Sequence, residues 1–118
     1  MTDPPQRSSI TTHVLDVSLG RPAKGIVVRL ARTDGTTWTE LGHGETDADG
    51  RASGLLAPGM RAVGTHRITF ELEPYFARSG RKCFYPRVEI VFAVLNETEH
   101  YHVPLLLSPF GYSTYRGS

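Results

Sequence analysis

From Ile10 onward, apolar and polar positions alternate in short runs. Each run is broken after about ten residues by Gly, Pro or Asp-Gly signals, the spacing expected of short strands. The pattern predicts strands at roughly 10–17, 25–33, 37–43, 50–54, 65–72, 87–95, 99–107 and 112–116. Turns are predicted at Gly20-Arg21-Pro22, Asp34-Gly35, Asp49-Gly50, Pro58-Gly59 and Ser108-Pro109. The two Asp-Gly pairs are hairpin signals, because glycine tolerates positive φ. One stretch departs from the alternation: Glu73 to Gly80 predicts a short helix near 73–80, with Pro74 in its first turn and Gly80 as its stop. Eight strands and one small helix predict an all-β, two-sheet β-sandwich. Residues 1–9 predict a flexible N-terminal tail and residues 10–118 a single domain.

The faces of two strands are unusual. In 99–107, His100, His102, Pro104 and Leu106 share one face, and Tyr101, Val103, Leu105 and Leu107 share the other. Both faces are partly apolar, whereas a strand wet on one side alternates cleanly. A second buried face is therefore expected, and in so short a chain another subunit is the expected cover. In 10–17, Thr11, His13, Leu15 and Val17 alternate with Ile10, Thr12, Val14 and Asp16, and the pattern does not choose the inner face.

Composition narrows the function classes. The chain has 118 residues, 13 basic and 12 acidic, with a net charge of +1 and no basic block, so no nucleic-acid footprint is present. No run has the length of a transmembrane helix, and the N-terminus carries no apolar signal segment, so a cytoplasmic protein without a membrane partner is expected. The single cysteine, Cys83, has no internal disulfide partner.

Candidate chemistry rests on histidine. His100 and His102 could begin a metal site, but no third ligand has telling spacing, so no metal is expected. Cys83 beside Lys82 and Arg81 is a weak nucleophile candidate, and neither a G-x-S-x-G elbow nor a phosphate loop is present. General acid–base chemistry remains, since histidine titrates near neutrality. Taken singly, His13 and His102 suit a structural role as well as a catalytic one, and Arg51 an ordinary surface role.

Four blocks together change that balance: TTHVLDVSLGRPAKGIVVRL (11–30), ETDADGR (45–51), FYPRVEIVF (84–92) and HYHVPLLLSPFGYSTYRGS (100–118). They resemble the transthyretin-like proteins that act as 5-hydroxyisourate hydrolases. The closing Tyr115-Arg116-Gly117-Ser118 resembles the tetrapeptide that separates these hydrolases from the hormone carrier transthyretin. The resemblance implies an eight-stranded sandwich and a homotetramer, a dimer of dimers with sites along a central channel. It implies ring-opening hydrolysis of 5-hydroxyisourate to 2-oxo-4-hydroxy-4-carboxy-5-ureidoimidazoline, without a cofactor. By the matching motifs it implies catalytic roles for His13, Arg51 and His102. It also implies substrate contacts from Tyr115 and Ser118, and Leu106 and Pro104 are expected as apolar walls. The alternative is a non-catalytic, transthyretin-like module that binds a small ligand. A structural sandwich of the carboxypeptidase regulatory type would suit the N-terminal blocks but not the last one.

Overall fold

Ten elements follow one another in the computed structural model, which describes residues 10–57 and 63–117. They are β1 (Ile10–Asp16), β2 (Arg21–Pro22), β3 (Val27–Thr33), β4 (Trp38–Glu45), β5 (Arg51–Ala52), β6 (Gly64–Glu71), α1 (Glu73–Arg78), β7 (Arg87–Val94), β8 (Tyr101–Ser108) and β9 (Gly111–Thr114). One sheet has the order β2-β1-β8-β9, with β5 also on β1; the other has the order β4-β3-β6-β7. The expected tail at 1–9, the Pro58-Gly59 turn and Ser118 lie outside the described residues.

The two-sheet sandwich and its helix match the alternation pattern, with one correction. Nine extended runs occur among the described residues, not eight. The extra one is β2, where a turn at Gly20-Arg21-Pro22 was expected. Arg21 and Pro22 lie back against Asp16 and Leu15, so the turn is completed earlier, with Gly20 at φ 69°. No helix among the described residues is long and apolar enough to cross a membrane.

β1 resolves the ambiguity of faces in an unexpected direction. Its inner residues are Ile10, Thr12, Val14 and Asp16, all buried, while Thr11, His13 and Leu15 stay half-buried on the outside. Its polar inner residues are satisfied. Thr12 donates its hydroxyl to the Val103 carbonyl. Asp16 accepts from Ser18 Oγ at 2.6 Å, from Tyr75 Oη at 2.8 Å and from Arg81 Nη2 at 3.0 Å. Burial pushes the Asp16 carboxyl up, but the hydrogen bonds from Ser18, Tyr75 and Arg81 outweigh it and hold the group below its usual range. Tyr75 lies on α1 and Arg81 just beyond it, so Asp16 ties the end of β1 to the helix. Phe76, 1% exposed, seats the same helix in the core beside Leu72.

β8 buries Tyr101, Val103, Leu105 and Leu107 inward, opposite Val28, Leu30, Ile68 and Phe70 of the other sheet. Its outer face is partly covered without any second subunit. Pro104 is buried and His102 is half-buried, because the chain's own C-terminal segment returns over them. The chain's own C-terminal segment thus supplies part of the cover that was expected from another subunit.

Asp16→Ala should lower unfolding free energy by about 2–4 kcal/mol, toward the low side of buried pairs because Arg81 keeps contact with water. The lowered carboxyl means that this contribution is present above the unfolded carboxylate pKa and is lost as pH falls through the folded value. Urea titrations at neutral and acidic pH check both: the variant's deficit should shrink in acid.

Candidate functional site

The outer face of the β1 sheet collects the histidines. β1 and β8 run parallel, with Thr11 opposite His102, His13 opposite Pro104 and Leu15 opposite Leu106. On the other edge of β1, β5 sets Arg51 opposite His13. One transverse row therefore reads Pro104, His13, Arg51, and the next reads His102, Thr11. Residues 89 positions apart, Thr11 and His100, meet here through Thr11 Oγ1 and His100 Nε2 at 3.0 Å.

Arg51 is placed by the loop before it. Asp47 Oδ1 accepts the backbone N–H of Asp49 at 2.9 Å and of Arg51 at 3.0 Å. The backbone N–H of Asp47 donates to the Arg51 carbonyl at 2.9 Å. The bonds that reach the Asp47 carboxyl, first of all the one from the Arg51 N–H, hold that group below its usual range. Gly50 has φ 78°, and a Cβ there would collide with the Val14 carbonyl. Its own carbonyl accepts from Val14 N at 2.7 Å, which draws the short strand against β1.

His102 is gripped from two sides. Its Nδ1 lies 2.9 Å from Thr11 Oγ1. On the other side the Gly117 N–H donates to the His102 carbonyl at 2.8 Å. A Cβ on Gly117 would lie 2.5 Å from His102 Cδ2 and 3.3 Å from Pro104 Cγ, so only glycine lets the chain end pass over the ring. The preceding residues hold that end down. Thr114 Oγ1 donates to the Pro104 carbonyl at 2.7 Å, and Arg116 donates to Glu99 Oε2 at 3.1 Å. The Arg116 guanidinium also stacks over the Tyr101 ring, 4.6 Å from its centroid.

Thr11, Thr12, His13, Arg51, Ala52, Ser53, His100 and His102 line an open groove of about 380 Å³. Burial lowers the His102 pKa below the ordinary histidine value, and electrostatic interaction with His100, His13 and Arg51 lowers it further. The ring is thus neutral at neutral pH and able to take a proton. Among the described residues no three His, Cys, Asp or Glu side chains gather as they would around a metal ion.

Of the residues singled out from sequence, His13, Arg51 and His102 come together in this groove. Tyr115 lines a neighbouring hollow of about 280 Å³, which shares only His102 with the groove. Pro104 and Leu106 lie on the same face of β8, outside the groove's lining. Ser118 falls outside the described residues. Thr11, Asp47 and Gly117 went unnoticed as site residues. Asp47 sits four residues before Arg51 in a D-x-D-G pattern, and that Asx-turn signal could have found it.

This two-sheet sandwich, with histidine and arginine side chains gathered in a groove on its outer face, defines a class of β-proteins with a polar outer surface. The particular lineage follows from comparison with known proteins. The sequence model described as "HIUase/Transthyretin family" matches residues 10–117, and the chain belongs to that family. It is 47% identical to the 5-hydroxyisourate hydrolase of Mus musculus, covering 96% of this chain and 98% of that protein. The solved structure of Klebsiella pneumoniae 5-hydroxyisourate hydrolase superposes with TM-score 0.81 at 38% identity, over 92% of this chain and 97% of the other. Sea bream transthyretin, solved in complex with thyroxine, superposes with TM-score 0.87 at 29% identity, over 93% and 95%.

Gly117→Ala should cost activity about tenfold or more by displacing the His102 ring. It should cost stability about 1 kcal/mol or less, because the change sits at the chain end. Steady-state kinetics beside thermal denaturation separate the two effects.

Proposed function

We propose that the chain hydrolyses 5-hydroxyisourate to 2-oxo-4-hydroxy-4-carboxy-5-ureidoimidazoline, a cofactor-independent cyclic amide hydrolysis in urate degradation. The observation that carries this reading is the meeting of His13, Arg51 and His102 in one groove, in a chain that resembles hydrolases of that substrate. In the proposed reaction His102 accepts a proton from water as its oxygen attacks the ring carbonyl. The bond from that carbon to the ring nitrogen breaks, and the proton passes to the nitrogen. Arg51 donates to the oxyanion formed at the carbonyl oxygen, a task suited to its planar fork of donors. His13, beside Arg51, orients the substrate or shares the proton.

The reading includes a homotetramer. β7 and β9 each lie at one edge of their sheet, and both border the hollow beside His102. Exposed aromatics lie near these edges, including Phe84, Tyr85 and Tyr112. An unpaired edge invites a strand from a second copy. A dimer of dimers would then close the groove and complete it with Tyr115 and Ser118. A cytoplasmic setting belongs to the same reading.

A carrier reading has one observation in its favour, the close superposition on thyroxine-bound transthyretin. The charged groove favours the hydrolase: a carrier of an apolar ligand gains nothing from an arginine flanked by two ionisable rings.

Purified protein should accelerate the decay of freshly formed 5-hydroxyisourate, followed by ultraviolet absorbance, and a rate equal to spontaneous decay refutes the proposal. His102→Ala and Arg51→Ala should each lose about a hundredfold or more in kcat/KM while remaining folded. The lowered His102 pKa puts its active, neutral form above that value. The kcat/KM profile should therefore stay flat through neutrality and fall only on the acid side of 6.5. Sedimentation equilibrium should give a tetramer.

A further inference from the structure

One hydroxyl bridges two histidines. Thr11 Oγ1 lies 2.9 Å from His102 Nδ1 and 3.0 Å from His100 Nε2. A hydroxyl has one proton, so it can donate to only one of these rings and must accept from the other if both bonds form. Two polarities are possible. In one, His102 keeps its proton on Nδ1 and Nε2 is a free lone pair. In the other, Thr11 donates to Nδ1, and the neutral His102 ring carries its proton on Nε2.

We infer that the chain runs from His102 Nδ1–H to Thr11 Oγ1 and from the Thr11 hydroxyl to His100 Nε2. Thr11 and His100 are then positioning residues that fix His102 as the tautomer whose Nε2 can act as base. This rests on the hydrolase reading for its consequence, though not for its geometry. Two observations favour this polarity, and a third shows that the contact itself is fixed. Arg51, in the same groove, is a donor only, so an Nε2 lone pair complements it and an Nε2–H opposes it. His100 is exposed, so its Nδ1–H can be satisfied by water, while half-buried His102 has its Nδ1 on Thr11. The parallel register places Thr11 directly opposite His102, so the contact is built by the fold and not by a mobile loop.

Polar and charged groups face His102 from every side. They are Thr11 and His13 from β1, Arg51 from β5 and His100 just before its own strand. Glu99, Tyr101, Tyr115 and Arg116 line the hollow on its other side. When His102 takes a proton on Nε2, both ring nitrogens donate, and Thr11 continues to accept from Nδ1. The bond therefore stabilises the imidazolium as well as selecting the tautomer.

The test uses the full chain with nitrogen-15-labelled histidine and long-range proton–nitrogen NMR above the histidine titration range. His102 should show a protonated Nδ1 and a lone-pair Nε2. Thr11→Val, which keeps the shape and removes the hydroxyl, should lose that preference. It should also reduce kcat about 10- to 100-fold with little change in KM, part of the roughly 10²–10⁴ a positioned base contributes. The acid limb of its kcat/KM profile should move to lower pH, because the imidazolium has lost an acceptor. Thr11→Ser should restore both tautomer and rate. His100→Ala, an exposed change that leaves folding intact, should weaken the tautomer preference and cost less activity. A wild-type His102 with its proton on Nε2 overturns the inference, as does Thr11→Val with unaltered tautomer and kcat. Failure of the unaltered chain to turn over 5-hydroxyisourate strikes the hydrolase reading instead, since the tautomer spectrum is read without substrate.

Discussion

The parallel pairing of β1 with β8 is the constraint on which the rest depends. Seven consecutive residue pairs, from Ile10 with Tyr101 to Asp16 with Leu107, lock the first strand to the eighth. A slip of one residue would turn Thr11 and His13 inward and expose Val14, so the hydrophobic pattern fixes the register. Once fixed, that register decides the chemistry. It puts Thr11 against His102 and leaves the far edge of β1 free for β5 and its arginine. The core and the groove are two sides of the same pair of strands.

The polar elements of the groove are held by backbone as well as by side-chain neighbours. Arg51 stands on a loop closed through Asp47 and allowed by Gly50. His102 stands under a chain end that only Gly117 permits to pass. Backbone hydrogen bonds and steric exclusion cost little flexibility and leave the side-chain donors free, as a preorganised site requires. The inward residues of β1 serve the same end: Asp16, buried and satisfied by Ser18, Tyr75 and Arg81, anchors the strand whose other face carries His13.

Most strands and the helix were legible because their periods and turn residues are strong. The boundaries at Asp34-Gly35, Asp49-Gly50 and Gly80 follow from glycines that take positive φ, at 101°, 78° and 68°. The faces of β1 were not legible. Thr12 and Asp16 look like surface residues, and only long-range partners at Val103, Tyr75 and Arg81 make their burial tolerable. β2 escaped notice because its two residues carry no period at all. In the site, the motif blocks pointed to His13, Arg51 and His102, but the histidine pair at 100 and 102 looked incidental. Its meaning lies in Thr11, which the sequence separates from His102 by 91 positions. The anchoring of the chain end was hidden for a similar reason: its partners at Glu99, Tyr101 and Pro104 belong to another strand and the turn before it.

The sandwich does not choose its own function. A thyroxine-bound carrier and a hydrolase superpose on it comparably well, so the backbone is common property and the outward side chains of one sheet discriminate. Those side chains lie on the face opposite the core by the strand's alternation. Such a face can change from proton transfer to ligand storage at little cost in stability, provided the β1–β8 register holds. The same independence makes a single hydroxyl decisive. Thr11 contributes nothing to the hydrophobic core, yet it is the atom through which the fold can dictate where a histidine proton resides.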